Sequence, residues 1–161
     1  MTRRIISHIP TAARRLATAV VAAVAVSCGN SGEISSFAHI PHDGWAYGDT
    51  VKFDIDSAMR VSQPIGIALR HNDSYPYRNL YLEISVEDDS CQIRRDTIGI
   101  ELCDVYGHWY GHGIGASMQI ESPTRIGADN STRRINIRHV MRVDTLTGIE
   151  LVGITGQPRK Q

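Results

Sequence analysis

From about residue 50 to residue 155 apolar residues recur at every second position, and the 3.6-residue period of an amphipathic helix is almost absent. Asn79 to Glu87 sets Leu80, Leu82, Ile84 and Val86 on one face and Tyr81, Glu83, Ser85 and Glu87 on the other. A strand with that pattern has one face in a core and one in water. The pattern returns in Thr50 to Asp56 (Val51, Phe53, Ile55) and in Pro64 to His71 (Ile65, Ile67, Leu69). It returns again in Thr97 to Cys103 (Ile98, Ile100, Leu102), Ser117 to Glu121 (Met118, Ile120) and Arg134 to Arg138 (Ile135, Ile137). Ile149 to Thr155 is apolar on both faces and reads as a central strand.

Turn signals at Asp88-Asp89-Ser90, Tyr106-Gly107, Gly127 to Asn130 and Thr147-Gly148 punctuate these runs. About seven or eight short strands so separated predict an all-β, antiparallel β-sandwich, of jelly-roll or immunoglobulin-like type. The most secure hairpin joins Tyr81 to Ser85 with Gln92 to Cys103 through the acidic turn between them. Where alternation breaks, around Arg138 to Val143, a helical turn is the only helix candidate.

The N-terminal part follows other rules. Arg3, Arg4, Arg14 and Arg15 are basic, no Asp or Glu precedes Glu33, and Leu16 to Val26 is an apolar, small-residue run of eleven. A membrane-spanning helix needs roughly 20 such residues, so the run reads as the core of a signal peptide. It ends in Ala25-Val26-Ser27-Cys28, which resembles a bacterial lipobox with Ala25 where Leu is usual. Cys28 is then the lipidated first residue of the mature chain. Multiple acylation suits it for stable anchoring, since acyl chains contribute about 0.8 kcal/mol per buried CH₂. The expected divisions are a signal peptide at 1–27, a flexible Gly/Ser-rich tether at 28–36 and a sandwich domain at 37–161.

The whole sequence has 17 basic and 17 acidic residues, so no charge excess points to nucleic acid. Without the four leader arginines the balance is 13 against 17, a net −4. Cys91 and Cys103 are separated by eleven residues that read as extended. At about 3.3 Å per residue the two sit far outside the roughly 4.4–6.8 Å that a disulfide requires, unless the strand folds back at Arg94-Arg95.

Several motifs together resemble a known family. They are Cys28, Ile40-Pro41-His42-Asp43-Gly44-Trp45, the stretch from Asn72-Asp73-Ser74-Tyr75-Pro76-Tyr77 to Leu80, Asp96-Thr97-Ile98, Gly107-His108-Trp109-Tyr110-Gly111 on to Gly115, and the Arg138 to Arg142 turn. In this order and spacing they resemble the GldH family of gliding-motility lipoproteins of the Bacteroidetes. The resemblance implies a palmitate-bearing lipoprotein of the outer membrane, an accessory or scaffold component of the gliding and linked protein-secretion machinery. Its implied partners are other envelope lipoproteins or secretion and gliding components, with the membrane reached through the lipid anchor. The family carries no catalytic residues or cofactor to transfer.

The residues themselves supply no enzyme site. Ser117 has no nucleophile-elbow context, and Asp88-Asp89 sits in a turn where Asp is expected. The pairs His39/His42 and His108/His112 lack a helix to align them for a metal, and Gly111, Gly113 and Gly115 lack the strand-then-helix setting of a phosphate loop. Those glycines read instead as a tight crossing between strands. Candidate interface residues are Trp45, Tyr75, Pro76, Tyr77, Trp109 and Tyr110, aromatic or stiff residues placed in loops or strand ends. The alternative for Trp45 and Trp109 is to cap the open ends of the core. Thr50, Ser57, Thr97 and Thr145 each follow Asp and precede an apolar residue, a pattern resembling the O-glycosylation signal of Bacteroidetes. Loop aromatics on a β-sandwich also admit a second function, a surface glycan-binding lipoprotein.

Overall fold

The computed structural model describes residues 34–55 and 64–156. Cys28, Ser57 and the expected signal segment lie outside them. The described residues form eleven strands and no helix. Eight are principal: β1 (Ile34–His39), β3 (Val51–Asp54), β4 (Ile65–His71), β5 (Asn79–Asp88), β6 (Ile93–Glu101), β8 (Ser117–Ile126), β9 (Thr132–His139) and β11 (Ile149–Gly156). Three are short: β2 (Trp45–Ala46), β7 (His112–Ile114) and β10 (Thr145–Leu146).

One sheet runs β1-β11-β4-β8-β7 and the other β3-β9-β5-β6, with β10-β2 as a separate two-stranded ribbon. Every pairing is antiparallel. Taken in chain order, the eight principal strands pair first with last, second with seventh, third with sixth and fourth with fifth. That nesting is the jelly roll, and it decides between the two sandwich types. The two sheets share one hydrophobic cluster: Ile65, Ile67, Leu69, Val152 and Ile154 from the first, and Phe53, Leu80, Leu82, Ile84, Ile98, Ile100, Ile135 and Ile137 from the second.

The β5–β6 hairpin shows how local chemistry sets register. Asp88 Oδ1 accepts from the N–H groups of Ser90 (2.8 Å) and Gln92 (2.9 Å), closing the turn, and the ladder then runs from Glu87↔Ile93 to Asn79↔Glu101. Because Arg94 and Arg95 pair in register with Val86 and Ser85, β6 does not fold back. Cys91 is left exposed in the turn and Cys103 buried past the far end, both as free thiols.

Four expectations need correction. Residues 34–36 of the expected tether belong to β1, because their main chain pairs with β11. Met118 and Ile120 are half-buried, not core, because β8 has only the three-residue β7 beyond it at the sheet edge. β4 is buried on both faces, not one: Gly66 lies beneath the Arg125–Glu121 ion pair (2.9 Å) and Thr155, whose hydroxyl donates to Glu121 at 2.7 Å. Residues 138–143 hold no helical turn, since β9 runs on to His139 and a bend follows.

Candidate functional site

The expected interface residues divide by burial. Trp45 is 1% exposed and Tyr75 2%. Both belong to the core, which corrects their placement on a docking surface. Trp45 Nε1–H donates to the Asp49 carbonyl at 3.0 Å, and the Tyr75 hydroxyl donates to the Asn79 carbonyl at 2.8 Å. Each buried polar tip thus finds an acceptor, as buried aromatics require. Burial, with the Tyr77 phenol beside it, pushes the Tyr75 hydroxyl above the ordinary phenol range. Pro76 is exposed and Tyr77 half-buried. Trp109 is half-buried with its ring 4.6 Å from that of His71, so it covers one end of the core. Of the six, Pro76 and Tyr110 are the exposed ones.

What the structure presents outward is the connection from β6 to β8. The large apolar side chains left exposed among the described residues are Phe37, Tyr47, Tyr81, Ile93, Val105, Tyr106, Tyr110 and Ile114. Half of them fall between residues 105 and 114, with Tyr106 at 83% and Ile114 at 96%. Isolated exposed apolar residues are ordinary, but four in one ten-residue segment make it the candidate contact surface.

Hydrogen bonds and tight glycine turns set the course of this segment. Asp104 accepts from the N–H groups of Tyr106 (2.8 Å) and His108 (2.9 Å), and its carboxylate meets His108 Nδ1 at 3.0 Å. The His108 main-chain and ring donors, followed by the Tyr106 N–H, hold the Asp104 carboxyl below its ordinary value. Gly107 completes the turn at φ +87°, and Val105 and Tyr106 stand out at its tip. Below the tip the Leu102 N–H donates to the Arg78 carbonyl and the Tyr110 N–H to the Leu102 carbonyl, each at 2.7 Å. Gly111 and Gly113 then bring the chain against the β8 carbonyls of Gln119 and Ser117, leaving no room for a Cβ, and Gly115 turns at φ +67°. The glycine string is the tight strand crossing expected of it. Its effect is to lift Ile114 onto the rim.

Val105, Tyr106 and Ile114 do not stand out in the sequence because each lies within two residues of a turn glycine, where the turn signal hides the side chain. Ser117 donates to the Glu150 carboxylate (2.9 and 3.1 Å), which ties β8 to β11. Among the described residues no three His, Cys, Asp or Glu side chains converge. Thr50, Thr97 and Thr145 are exposed.

Compared with known proteins, residues 33–155 match the family model described as GldH lipoprotein. No curated protein matches the chain. Among solved structures, dimeric latent PorU from Porphyromonas gingivalis is similar over 78% of this chain, with 13% identity and a TM-score of 0.35. The chain spans 13% of that protein's length.

Proposed function

Because this chain belongs to the GldH lipoprotein family, we propose that it is a non-enzymatic scaffold of the gliding and linked secretion machinery, working by protein–protein binding. The family is one of gliding-motility-related lipoproteins. In our reading Cys28 carries the lipid, the outer membrane is the anchored surface, and the jelly roll presents the β6–β8 connection to another envelope component. The observation that carries this is the pre-ordered apolar segment with Tyr106 and Ile114 at its most exposed points. A contact loop already fixed in its bound shape loses little entropy on docking, and its aromatic and aliphatic tips supply the anchors.

The test is cross-linking in the native envelope, then purification in detergent and mass spectrometry. Recovery of secretion or gliding components is expected, falling at least about five-fold with Tyr106→Ser/Ile114→Ser, a loss typical of central anchor residues. Because both side chains already face water, the melting temperature should hold. Equal recovery from the variant, or recovery of no such component, sinks the proposal.

The anchor has its own readout. In chain isolated from the envelope, Cys91, which is exposed, is expected to react with a maleimide under native conditions and Cys103, 3% exposed, only after denaturation. A third reactive thiol would mean that Cys28 is not acylated.

A further inference from the structure

The outward face of the sheet β3-β9-β5-β6 carries polar side chains in rows across the strands. In one row Arg138 is fixed to Glu83 by two bonds of 2.9 and 3.0 Å. In another, four residues along, Arg134 pairs with Asp54 at 2.6 Å and Glu87 at 3.6 Å. Each of these rows has carboxylate to meet its arginine, the second with one acid to spare. The row between them does not: register aligns Lys52, Asn136, Ser85 and Arg95 across all four strands, and this row contains no acid. Among the described residues neither Lys52 nor Arg95 forms an ion pair, and Arg95 acts on the Glu83 carboxylate only from farther off, helping to hold it below its ordinary value after the Arg138 hydrogen bonds.

This middle row forms the floor of an open trough of about 620 Å³. Within it Asn136 Oδ1 is shut from solvent and receives no hydrogen bond. An acceptor in that condition is costly and calls for a donor. Cations at both ends of the row call for the opposite, an anionic acceptor. One ligand that satisfies both carries a carboxylate together with hydroxyl groups.

Two rings lie outside the trough's lining, next to its Arg138–Glu83 side. Tyr47 lies beside the Arg138 guanidinium, 5.9 Å from ring centroid to Cζ, and Tyr81, the next residue along this face from Glu83, lies against Gly99, where a Cβ would come within 2.9 Å of its ring. They are 45% and 46% exposed and flank the same Arg138–Glu83 pair. Exposed aromatic faces next to hydrogen-bonding groups suit the flat C–H faces of sugar rings.

We propose that this face binds a carboxylated glycan, with Lys52 and Arg95 on the carboxylates, Asn136 and Ser85 on the hydroxyls, and Tyr47 and Tyr81 stacking on the flanking ring. Position favours a sugar over an acidic peptide. An extended peptide gains main-chain bonds at a sheet edge, whereas this trough lies over the inner strands β9 and β5, whose main-chain groups are already paired. The site is separate from the β6–β8 connection, so the two proposals stand or fall independently.

The test is calorimetric titration of the full lipoprotein in detergent with three probes: a galacturonate tetramer, its neutral methyl ester and a glutamate tetrapeptide. The acid sugar is expected to bind about ten-fold tighter than the ester, an advantage that salt reduces. Lys52→Gln/Arg95→Gln should remove that ten-fold without weakening the ester. Asn136→Ala should weaken both sugars, and Tyr106→Ser/Ile114→Ser neither. Circular dichroism confirms that each variant is folded. Equal affinity for acid and ester, no binding of either sugar, tighter binding of the glutamate peptide, or a charge-removed variant that binds unchanged would each overturn the proposal.

Discussion

Gly148→Ala is expected to lower the melting temperature by about 10 °C. Gly148 stands at φ +83°, and a Cβ there would lie 2.5 Å from the Tyr75 nitrogen and 2.6 Å from its Cα. Main chain meets main chain, so no side chain can swing aside. The approach is also tied: the Asn72 N–H donates to the Gly148 carbonyl at 2.9 Å, and Tyr75 is locked in the core through its hydroxyl. Left-handed backbone costs an L-residue about 1–2 kcal/mol, and forcing an extra methyl into a packed site typically costs about 1–3 more. Gly107 separates the two contributions. It has φ +87° with open space around it, so Gly107→Ala reports the backbone cost alone. Gly48→Ala, with nothing within 4 Å and no left-handed backbone, should be near neutral. Thermal unfolding of the three variants checks this. If Gly148→Ala costs no more than Gly107→Ala, the turn before β11 does not dock on the Asn72–Tyr77 loop as described.

That docking also shows where the sequence was legible and where it was not. Alternation in β5 was easy to read because Leu80, Leu82, Ile84 and Val86 face one core and their neighbours face water. β11 was readable for the opposite reason, since its runs on both faces match a strand flanked by β1 and β4. β4 misled because what covers its outer face is polar: Glu121, Arg125 and Thr155 close over Gly66, which no hydropathy pattern records. β2, β7 and β10 are too short to show any period. Choosing the jelly roll needed the pairing of first strand with last, a long-range fact that local sequence does not hold.

The contact surfaces were harder still. Trp45 and Tyr75 sit in turn-rich, polar neighbourhoods and so resemble surface aromatics, yet each has one main-chain acceptor that permits burial. The residues that do stand in solvent, Val105, Tyr106 and Ile114, are placed there by Gly107, Gly111 and Gly115, whose φ values are positive. The row Lys52–Asn136–Ser85–Arg95 draws one residue from each of four strands, spread over 85 positions of sequence. Only register brings it together.

Acid should weaken this fold well before its carboxylates titrate. His71 and His139 are each 0% exposed. His71 Nδ1 lies 3.2 Å from the Asn72 carbonyl and His139 Nε2 lies 3.0 Å from the Trp45 carbonyl. A carbonyl accepts only from N–H, so these nitrogens carry the protons. The other nitrogen of each ring, His71 Nε2 and His139 Nδ1, is buried without a partner. Protonating it would place a charged N–H where nothing accepts.

Burial, the larger influence at each ring, lowers both pKa values below the ordinary histidine range. It outweighs the Asn72 carbonyl and Glu150 at His71, and at His139 the main-chain groups of Trp45 and Ala46, with Arg138 repelling and Asp49 attracting the charge. The sign follows. Above about pH 6.5, the usual value for an unfolded histidine, both states are neutral and the full stability is present. As pH falls through that value the unfolded chain takes up protons that the folded chain refuses, so stability drops. Asp104 and Asp129, held below the ordinary carboxylate value chiefly by hydrogen bonds from His108 and Ser131, add their losses only at lower pH. The melting temperature is therefore expected to fall by several degrees between pH 8 and pH 5.5. His71→Asn/His139→Gln, which replaces each donated hydrogen bond without a titrating ring, should flatten the profile in that range even if it lowers the plateau. A wild-type profile flat down to pH 5.5, or a variant that keeps the slope, would show that the two rings are not held neutral by the core.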